Sequence, residues 1–521
     1  MATADADSGV TLPELLAAFS LATDLGLGQP VEHVLRSWRI AVRLADVVGL
    51  PEPERESLFY VAMLAWVGCV ADAPEVAAMF GDDIAFRADS FDADLAGLSG
   101  MGFFLGHAGS GGSWPHRARV AASIVASGGR RVEQGITSHC LSTSTMAEQL
   151  GLGSDVAVAL RQFFSRWDGR GVPSGLGGEG VALVVRLFHL ANVAEVHHRV
   201  NGLDGAVAVL TRRRGGQFDP ALADAFVRAA PQLLADLDES FDPHEVLRTE
   251  IALQRSLGQD ELDQALQVLA DFTDLRCSER AGHSRGVAEL ARAAASSMGL
   301  SAADVVTTWR AGLLHDIGLH GVPATILGKQ GPLTPTEWER VRLSAYCTER
   351  VLSRPAALAR IGAVAALVHE RPDGSGYPRG LAGSAIPVTG RVLAAACAFR
   401  ALVEPRPHRD SLPSDRAASV LRAEAAAGRL DADAVDEVLA AAGKPRRRRA
   451  AGPGALTPRE VEVLVLIARG RSTKQVATAL GVTSRTAGTH IERIYSKTGA
   501  SSRTTATLFA LRHGLIDPMS V

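Results

Sequence analysis

The 521-residue sequence contains few aromatic residues and no long uninterrupted apolar run. Aromatic residues make up 5% of it, so its cores must be built mainly from Ala, Val and Leu. The longest apolar stretch, Tyr60–Ala71, is interrupted by Gly68 and is shorter than the ~20 residues that a membrane-spanning helix needs. The acidic start lacks the basic residues of a secretory signal, since the first basic residue is Arg36. We therefore expect a cytoplasmic protein without a membrane segment.

Cysteine is also scarce and scattered. The sequence has five cysteines and no Cys-x-x-Cys pair. A disulfide framework needs an even, closely spaced set, so these cysteines argue against disulfides and for a reducing compartment. The remaining composition, 47% hydrophobic and 21% charged, is typical of folded globular domains. The chain length of 521 residues suggests three or four such domains.

Charge is unevenly distributed along the chain. Residues 443–521 contain 14 Lys or Arg and 4 Asp or Glu, a net charge of +10, whereas the rest of the chain carries −13. A small basic module on a larger acidic body is typical of a nucleic-acid-binding domain joined to another function.

Helical periodicity dominates the sequence. From His283 to Met298 the apolar residues fall on one helix face, and Gly299 follows as a typical C-terminal stop. Thr334 with Glu337, and Thr457 with Glu460, are capping pairs that mark helix starts. No convincing series of alternating strands is present, so the predicted fold class is all-α.

Two parts of the acidic body are similar to each other. Residues 166–178 (RWDGRGVPSGLGG) and 371–383 (RPDGSGYPRGLAG) match at eight of thirteen positions, at an offset of 205. Residues 33–50 match 283–300 in helical pattern at an offset of 250, which places a 45-residue insertion in the first copy, around Gly97–Gly112. We predict a first copy at 10–245, a second copy at 255–440, a basic Gly/Pro linker at 441–454 and a tail domain at 455–521.

The second copy carries groups that suit a divalent cation. Imidazole and carboxylate groups stand in the pairs His315-Asp316 and His369-Glu370, with His283 upstream, and such groups converging from separate helices bind these ions. A metal-bound water is a usable nucleophile near neutral pH. A His-Asp pair alone is more simply a hydrogen-bonding pair at a helix end, but the following phrase GSGYPRGLAG favours a metal site.

The phrases LLHDIG, GSGYPRGLAG and RVL resemble those of the HD-GYP family, a branch of the HD superfamily of metal-dependent phosphohydrolases. The resemblance implies an all-α fold, a centre of two or three metal ions, often iron or manganese, and phosphodiesterase activity on cyclic di-GMP. It implies metal ligands at His283, His315, Asp316 and His369, with Asp316 catalytic if the protein is active, and substrate-binding residues at Gly376, Tyr377 and Pro378.

Other positions of the implied ligand set hold different residues. Ser344 and Val368 stand where the family has histidines, and Cys397 stands where it has an aspartate. Leu319 stands where a lysine usually follows HDIG. Two closely spaced cations need carboxylates to offset their charge, so we expect phosphodiesterase chemistry to be impaired or absent. Cys397 is either a buried, apolar-like residue or a thiolate ligand that would favour zinc.

The ligands that remain still allow one divalent ion, iron, manganese or zinc, on His283, His315 and Asp316. In the first copy even these are missing. His33 aligns with His283, but Ala65-Trp66 replaces the His-Asp pair and Asn192 replaces the terminal aspartate. His139 is a candidate for the histidine in the middle of the pattern. We expect the first copy to be a scaffold or sensing half without hydrolytic activity.

The tail has the pattern of a helix-turn-helix. Capping pairs start short helices at Thr457, Ser472 and Thr483 or Ser484, and Gly481 forms the turn before the third helix, which reads the major groove in such domains. The phrases LTPRE, ARGRSTKQVA and HIERIYSKTG closely resemble the LuxR-type C-terminal DNA-binding domain. The resemblance implies sequence-specific binding of double-stranded DNA by a dimer, and our candidate DNA-binding residues are Lys474, Ser484, Arg485, Thr489, His490, Arg493 and Lys497.

The sequence is therefore interpreted as a bacterial transcription regulator that acts as a homodimer. Its HD-GYP-like body would sense a nucleotide or a protein signal and alter dimer geometry or the accessibility of the tail. The alternative is a working cyclic dinucleotide phosphodiesterase coupled to a DNA-binding domain.

Overall fold

A computed structural model describes residues 7–237, 253, 255–445 and 453–516. Nearly all regular structure in these ranges is helical, which confirms the predicted all-α class. The strands Asp7–Thr11 and Ser256–Gly258 pair in a small antiparallel ribbon.

The helices fall into three successive groups along the chain. Those of the first copy are Leu12–Leu27, His33–Val48, Glu52–Leu64, Gly68–Ala71, Ala73–Phe80, Asp83–Ser90, Gly97–His107, Trp114–Ala126, Arg130–Gln149, Ser154–Arg161, Leu183–Arg213 and Pro220–Leu233. Those of the second copy are Gln259–Asp274, His283–Ser297, Ala302–Leu314, Ala324–Leu327, Pro335–Leu352, Ala359–Ala365, Val388–Val403, Ser414–Ala426 and Ala432–Ala441. The tail contains Pro458–Ala468, Thr473–Leu480, Ser484–Thr498 and Arg503–Arg512. Short 3₁₀ turns lie at Gly178–Gly180, Ser278–Arg280, Ile317–Gly321, Gly383–Ala385 and Pro453–Ala455.

The described chain divides into two compact units. The first unit contains Met1–Glu289, Trp309–Ala366 and Arg400–Leu412, and the second contains Leu290–Thr308, Leu367–Phe399 and Pro413–Val521. This division runs through the second copy instead of between the two copies, so the domain limits drawn from the repeat stay predictions. Residues 446–452 of the predicted linker and 517–521 of the predicted tail domain lie outside the described residues.

The core of the first unit is built on the helix His33–Val48. Its apolar residues recur at helical spacing, so one face is buried while Arg36, Arg39 and Arg43 stay on the other. The buried face packs against Leu183–Arg213, with Trp38 1% exposed.

Within the described residues, no single helix is long and apolar enough to cross a membrane. The helices Glu52–Ala71 and Ala73–Phe80 reach that length and composition only as a pair, and they are bent by 60° at their junction.

The glycine-rich stretch where we placed the insertion is mostly helical. Gly97–His107 and Trp114–Ala126 are helices, and they contribute to a small separate apolar cluster that contains Phe80, Ala108 and Ile124.

The predicted helix starts are confirmed. The Thr334 hydroxyl accepts the Glu337 N–H at 3.3 Å, and the Glu337 carboxylate accepts the Thr334 N–H. The same reciprocal pair joins Thr457 and Glu460. These bonds satisfy N–H groups that have no partner inside the helix.

A close backbone contact sets the position of the HDIG turn. A Cβ atom on Gly318 would lie 2.0 Å from the carbonyl oxygen of Ser344, so the turn touches the helix Pro335–Leu352 directly. The Thr348 hydroxyl accepts the Gly318 N–H and donates to the His315 carbonyl, each at 3.1 Å. Glycine at 318 is therefore required by packing, and it fixes the segment that carries the His-Asp pair.

We predict that Gly318→Ala lowers the free energy of unfolding by about 1–3 kcal/mol, because the added methyl group must push two backbone segments apart. Gly331→Ala is the matched control, since no atom lies within 4 Å of its Cβ position. Urea unfolding of both variants measures the difference. Equal stability of the two variants would contradict the contact.

Candidate metal centre and DNA-reading helix

Three of the predicted metal ligands meet in the first unit. His283 begins the helix His283–Ser297, and the His315-Asp316 pair follows the helix Ala302–Leu314. The Nε2 atoms of His283 and His315 lie 3.8 and 3.2 Å from Asp316 Oδ2. All three residues are buried, with Asp316 5% exposed.

The other ring nitrogen of each histidine is held by the protein. His283 Nδ1 lies 2.6 Å from the carboxylate of Glu404, and His315 Nδ1 donates to the carbonyl of Gly312 at 2.8 Å. Histidines that bind metals are commonly held in this way, because the bond fixes the tautomer and turns Nε2 towards the centre. The imidazoles therefore have the orientation that a metal ion requires.

The carboxylate at the centre is already paired with a cation from the chain. The guanidinium of Arg280 forms an ion pair with Asp316. Arg400 and Arg406 pair with Glu404 at 2.6 and 3.2 Å. Sequence reasoning missed Arg280 and Glu404, although Arg280 stands three residues before His283 and Glu404 stands one helical turn after Arg400.

The donor set does not fit a two-metal centre. Ser344 is buried, and its hydroxyl donates to the Val341 carbonyl of its own helix at 2.7 Å. The described residues of the first unit thus offer two imidazoles and one carboxylate, and the charge of that carboxylate is offset by Arg280. Two divalent ions would add positive charge beside Arg280, and the nearby carboxylate of Glu404 is already shared by Arg400 and Arg406, so the added charge is costly in a buried site.

The second unit holds His369 and the GSGYPRGLAG loop. The Tyr377 ring stacks on the His369 ring with centroids 4.8 Å apart, and the Tyr377 N–H donates to the His369 carbonyl. A Cβ on Gly376 would lie 2.4 Å from Arg371 N, so this glycine is required by close packing. Glu370, 1% exposed, accepts the N–H groups of residues 379 and 381 at 2.7 and 2.8 Å.

These contacts give Glu370 and Gly376 a structural role in holding the loop. Pro378 is half-buried beside Tyr377. Val368 is 4% and Cys397 is 7% exposed, so both are buried.

In the first copy, the positions aligned with metal ligands also meet, but their side chains bond to one another. Asn192 Oδ1 lies 3.0 Å from His33 Nε2 and accepts the Trp66 indole N–H at 3.2 Å. The Trp66 ring packs against the rings of Phe91 and Phe163, with centroids 5.5 and 5.0 Å apart. The indole of Trp66 therefore stands at the position that the carboxylate of Asp316 has in the second copy.

The histidine of the first copy keeps a carboxylate partner. His33 Nδ1 lies 2.5 Å from Glu195, whose side chain is 2% exposed and also bonds Arg36 at 3.0 Å. Burial alone would raise the pKa of Glu195, but His33, Arg199 and Arg36 lower it to about 2. The buried carboxylate therefore stays ionised.

A second group of possible metal ligands in the first copy, Cys69, Asp72 and His139, has ligand atoms within 4.8 Å of one another. Both ring nitrogens of His139 are engaged, Nδ1 with Asp72 at 3.2 Å and Nε2 with the Ala65 carbonyl at 2.7 Å. Burial opposes charge on His139, but Cys69 and Asp72 raise its pKa well above the usual value. Asp72 also pairs with Arg87 at 2.5 Å, so protein cations already balance this cluster.

The tail folds as the capping pattern predicts. Val476, Ala477 and Ala487 are buried in its core, and Leu480, Val482 and Ile491 pack against them, as expected. The helix Ser484–Thr498 follows a left-handed turn residue, Gly481.

The candidate DNA-binding residues that are exposed in this domain are Lys474, Ser484, Arg485, Thr489, Arg493 and Lys497. Lys497 also pairs with the buried carboxylate of Glu460 at 2.7 Å. His490 is half-buried. Burial lowers the pKa of His490, assisted by Arg459 and Arg493 and opposed by Glu460 and by Asp433 of the acidic body. The charge of Asp433, in the helix Ala432–Ala441 of the same unit, therefore acts on one edge of the third tail helix.

Comparison with known proteins identifies both parts. Residues 267–434 match the family described as "HD domain", and residues 454–510 match "Bacterial regulatory proteins, luxR family". The chain is 30% identical over 415 residues to the 3'3'-cGAMP-specific phosphodiesterase 3 of Vibrio cholerae, a match that covers 79% of this chain and 90% of that protein.

Shorter matches cover single parts of the chain. The cyclic di-GMP phosphodiesterase of Thermotoga maritima is 39% identical over 161 residues, 30% of this chain and 44% of that protein. The response regulator VraR of Staphylococcus aureus is 40% identical over 81 residues, 16% of this chain and 39% of that protein.

A solved structure described as a cyclic GMP-AMP-specific phosphodiesterase of V. cholerae (V-cGAP3) superposes with a TM-score of 0.57 at 26% identity. It covers 83% of this chain and 98% of that one. The fold and site thus define an HD-domain protein with a LuxR-type DNA-binding domain. The chain belongs to the HD-GYP family of HD-domain phosphodiesterases.

We predict that Glu195→Gln lowers the free energy of unfolding at pH 7 by about 2–4 kcal/mol, because the guanidinium groups of Arg36 and Arg199 lose the ionised carboxylate that they contact. The folded pKa of Glu195, about 2, lies below its unfolded value of 4.5. Its contribution is therefore complete above pH 4.5 and is lost as pH falls towards 2, so the two stability curves should converge in acid.

Glu148→Gln is the matched control, since Glu148 pairs with Arg161 at 2.6 Å while both side chains are 52% exposed. Such a surface pair contributes about 0–1 kcal/mol. Denaturant unfolding between pH 2 and 7 measures both curves, and a loss at pH 7 for Glu195→Gln no greater than that of the control would refute the role of Glu195.

Proposed function

We propose that the protein is a DNA-binding transcriptional regulator whose HD-GYP body responds to a signal and has lost phosphodiesterase activity. The observation that carries the first part is the exposed polar and basic face of the helix Ser484–Thr498, which lies in residues 443–521 of net charge +10. Such a helix reads base edges in the major groove, while neighbouring basic residues bind phosphates.

The exposed residues divide into two groups by chemistry. Thr489 and Arg493 suit base edges, and Lys474 and Arg485 suit phosphates, with Ser484 at the helix start. Lys497 is held by Glu460, so its contribution to DNA binding requires that this pair open. His490 lies close to Asp433 of the body, so a change in the body alters the surroundings of the reading helix.

The second part of the proposal concerns the centre of the second copy. Ser344, Val368 and Cys397 replace implied ligands, and Arg280 offsets the charge of Asp316. We propose a ligand set of His283, His315, Asp316 and His369 that holds at most one iron, manganese or zinc ion. The signal would be a nucleotide or a protein, and the first copy would serve as a scaffold or sensing half.

A homodimer in the cytoplasm completes the proposal. The fourth tail helix, Arg503–Arg512, presents Leu508 with 52% exposure, which suits a contact with a second copy. Two tails would then read two half-sites of duplex DNA.

The second candidate function is phosphodiesterase activity on a cyclic dinucleotide. The similarity to a 3'3'-cGAMP-specific phosphodiesterase across 79% of the chain favours it. Asp316 would then be the catalytic residue, and Gly376, Tyr377 and Pro378 would contact the substrate.

We predict that Arg493→Ala weakens specific DNA binding by about 1–3 kcal/mol, because it removes a contact to base edges. Arg416→Ala removes the same charge from an exposed site on the body and serves as the control. Gel-shift titration at fixed salt, against specific and random duplexes, measures the effect. Equal affinities for the two variants would remove Arg493 from the reading face.

We predict that the purified protein contains no more than one metal ion per chain and does not hydrolyse 3'3'-cGAMP or cyclic di-GMP. Metal analysis and chromatography of the nucleotides test this together, with Asp316→Asn as the control. Turnover by the unaltered protein that is lost in Asp316→Asn would overturn the proposal and establish the second candidate.

A further inference from the structure

The centre of each copy is occupied by an N–H donor of the chain itself. In the first copy the Trp66 indole N–H bonds the oxygen of Asn192, beside His33. In the second copy the Arg280 guanidinium forms an ion pair with Asp316, beside His283 and His315.

The arginine meets the same electrostatic need that a cation would meet. Asp316 is 5% exposed, and a buried carboxylate without a counter-charge is strongly destabilising. The Arg280 side chain is 17% exposed, so the pair is screened from water on most sides. Guanidinium keeps its charge at any physiological pH, so the compensation does not depend on a bound metal.

The surroundings disfavour a further positive charge. Arg406 Nη2 lies 3.4 Å from His283 Nδ1 and 3.2 Å from Glu404, and Arg400 pairs with Glu404 at 2.6 Å. The carboxylate that orients His283 is thus shared by two guanidinium groups. A divalent ion entering beside Asp316 would compete with Arg280 for the carboxylate at the centre.

We propose that Arg280 takes the place of the divalent cation in the second copy, so that the domain is folded and charge-balanced without a metal and Arg280 opposes metal binding. This inference rests on the proposed function, because it explains how a former metal centre persists in a signal-responsive body. It assigns to Arg280 a role that the phrases of the family do not contain.

The test compares metal binding and stability of the full-length protein in three variants. Arg280→Met removes the charge and keeps most of the side-chain length, and Arg280→Lys keeps the charge. Arg285→Met is the matched control, because Arg285 lies on the neighbouring helix and pairs with Asp271 at 2.5 Å. Calorimetric titration with Mn²⁺ and Zn²⁺ and thermal unfolding with and without each ion are the measurements.

We expect Arg280→Met to bind Mn²⁺ or Zn²⁺ at least about tenfold more tightly than each of the other three proteins, namely the unaltered protein, Arg280→Lys and Arg285→Met. The reason is that groups bonded to a metal ligand change its metal affinity by such factors, and Arg280 competes with the ion for Asp316. The melting temperature of Arg280→Met should fall and be restored by the ion, whereas EDTA should not change that of the unaltered protein.

Two results would overturn the inference. One is metal affinity of the unaltered protein equal to that of Arg280→Met. The other is a folded Arg280→Met protein, shown by circular dichroism and unchanged DNA binding, that gains no affinity. The second result, without hydrolysis by the unaltered protein, leaves the proposed function standing. Hydrolysis by the unaltered protein would instead remove the proposed function.

Discussion

The structure of both copies depends on a buried histidine whose Nδ1 is held by a carboxylate. His33 is held by Glu195 and His283 by Glu404, and guanidinium groups balance each carboxylate. Burying such a histidine–carboxylate pair costs desolvation free energy, and the pair is stabilising only when every charge has a partner. The charge balance of this pair therefore limits which further group the centre accepts. A centre with more carboxylates than guanidinium groups accepts a metal ion, and a centre without that surplus accepts a neutral or singly charged donor.

The two copies reach this couple by different residues. At the offset of 205, Glu195 corresponds to Arg400 and Arg199 to Glu404, so the acid and the base have exchanged places on the helix. The pair is one helical turn apart in each copy, which keeps the carboxylate and the guanidinium in contact after the exchange. The electrostatic pattern is thus maintained although the residue at each position is not.

Sequence reasoning predicted the parts that short phrases define. The HDIG phrase led to His315 and Asp316, the repeat led to His33, Trp66 and Asn192, and capping pairs led to the helix starts. It did not predict Arg280 or Glu404, because neither belongs to a motif and each acts through a fold-dependent contact. It placed an insertion around Gly97–Gly112 but gave no secondary structure for it, and the structure has helices there that pack in a small apolar cluster. The helix propensity of single residues is a weak predictor of secondary structure where tertiary contacts determine it.

The distribution of charge connects the body to the tail. In the proposed function, the part of the chain with net charge −13 would repel duplex DNA and residues 443–521, with +10, would attract it, and the repulsion would act over about one Debye length, ~8 Å at physiological salt. In the second unit the turn residue Gly481 approaches Arg391, and Asp433 acts on His490. The acidic helix Ala432–Ala441 thus carries a negative charge that acts on the third tail helix. If that helix reads DNA as we propose, this negative charge opposes phosphate contacts at the same edge of the helix.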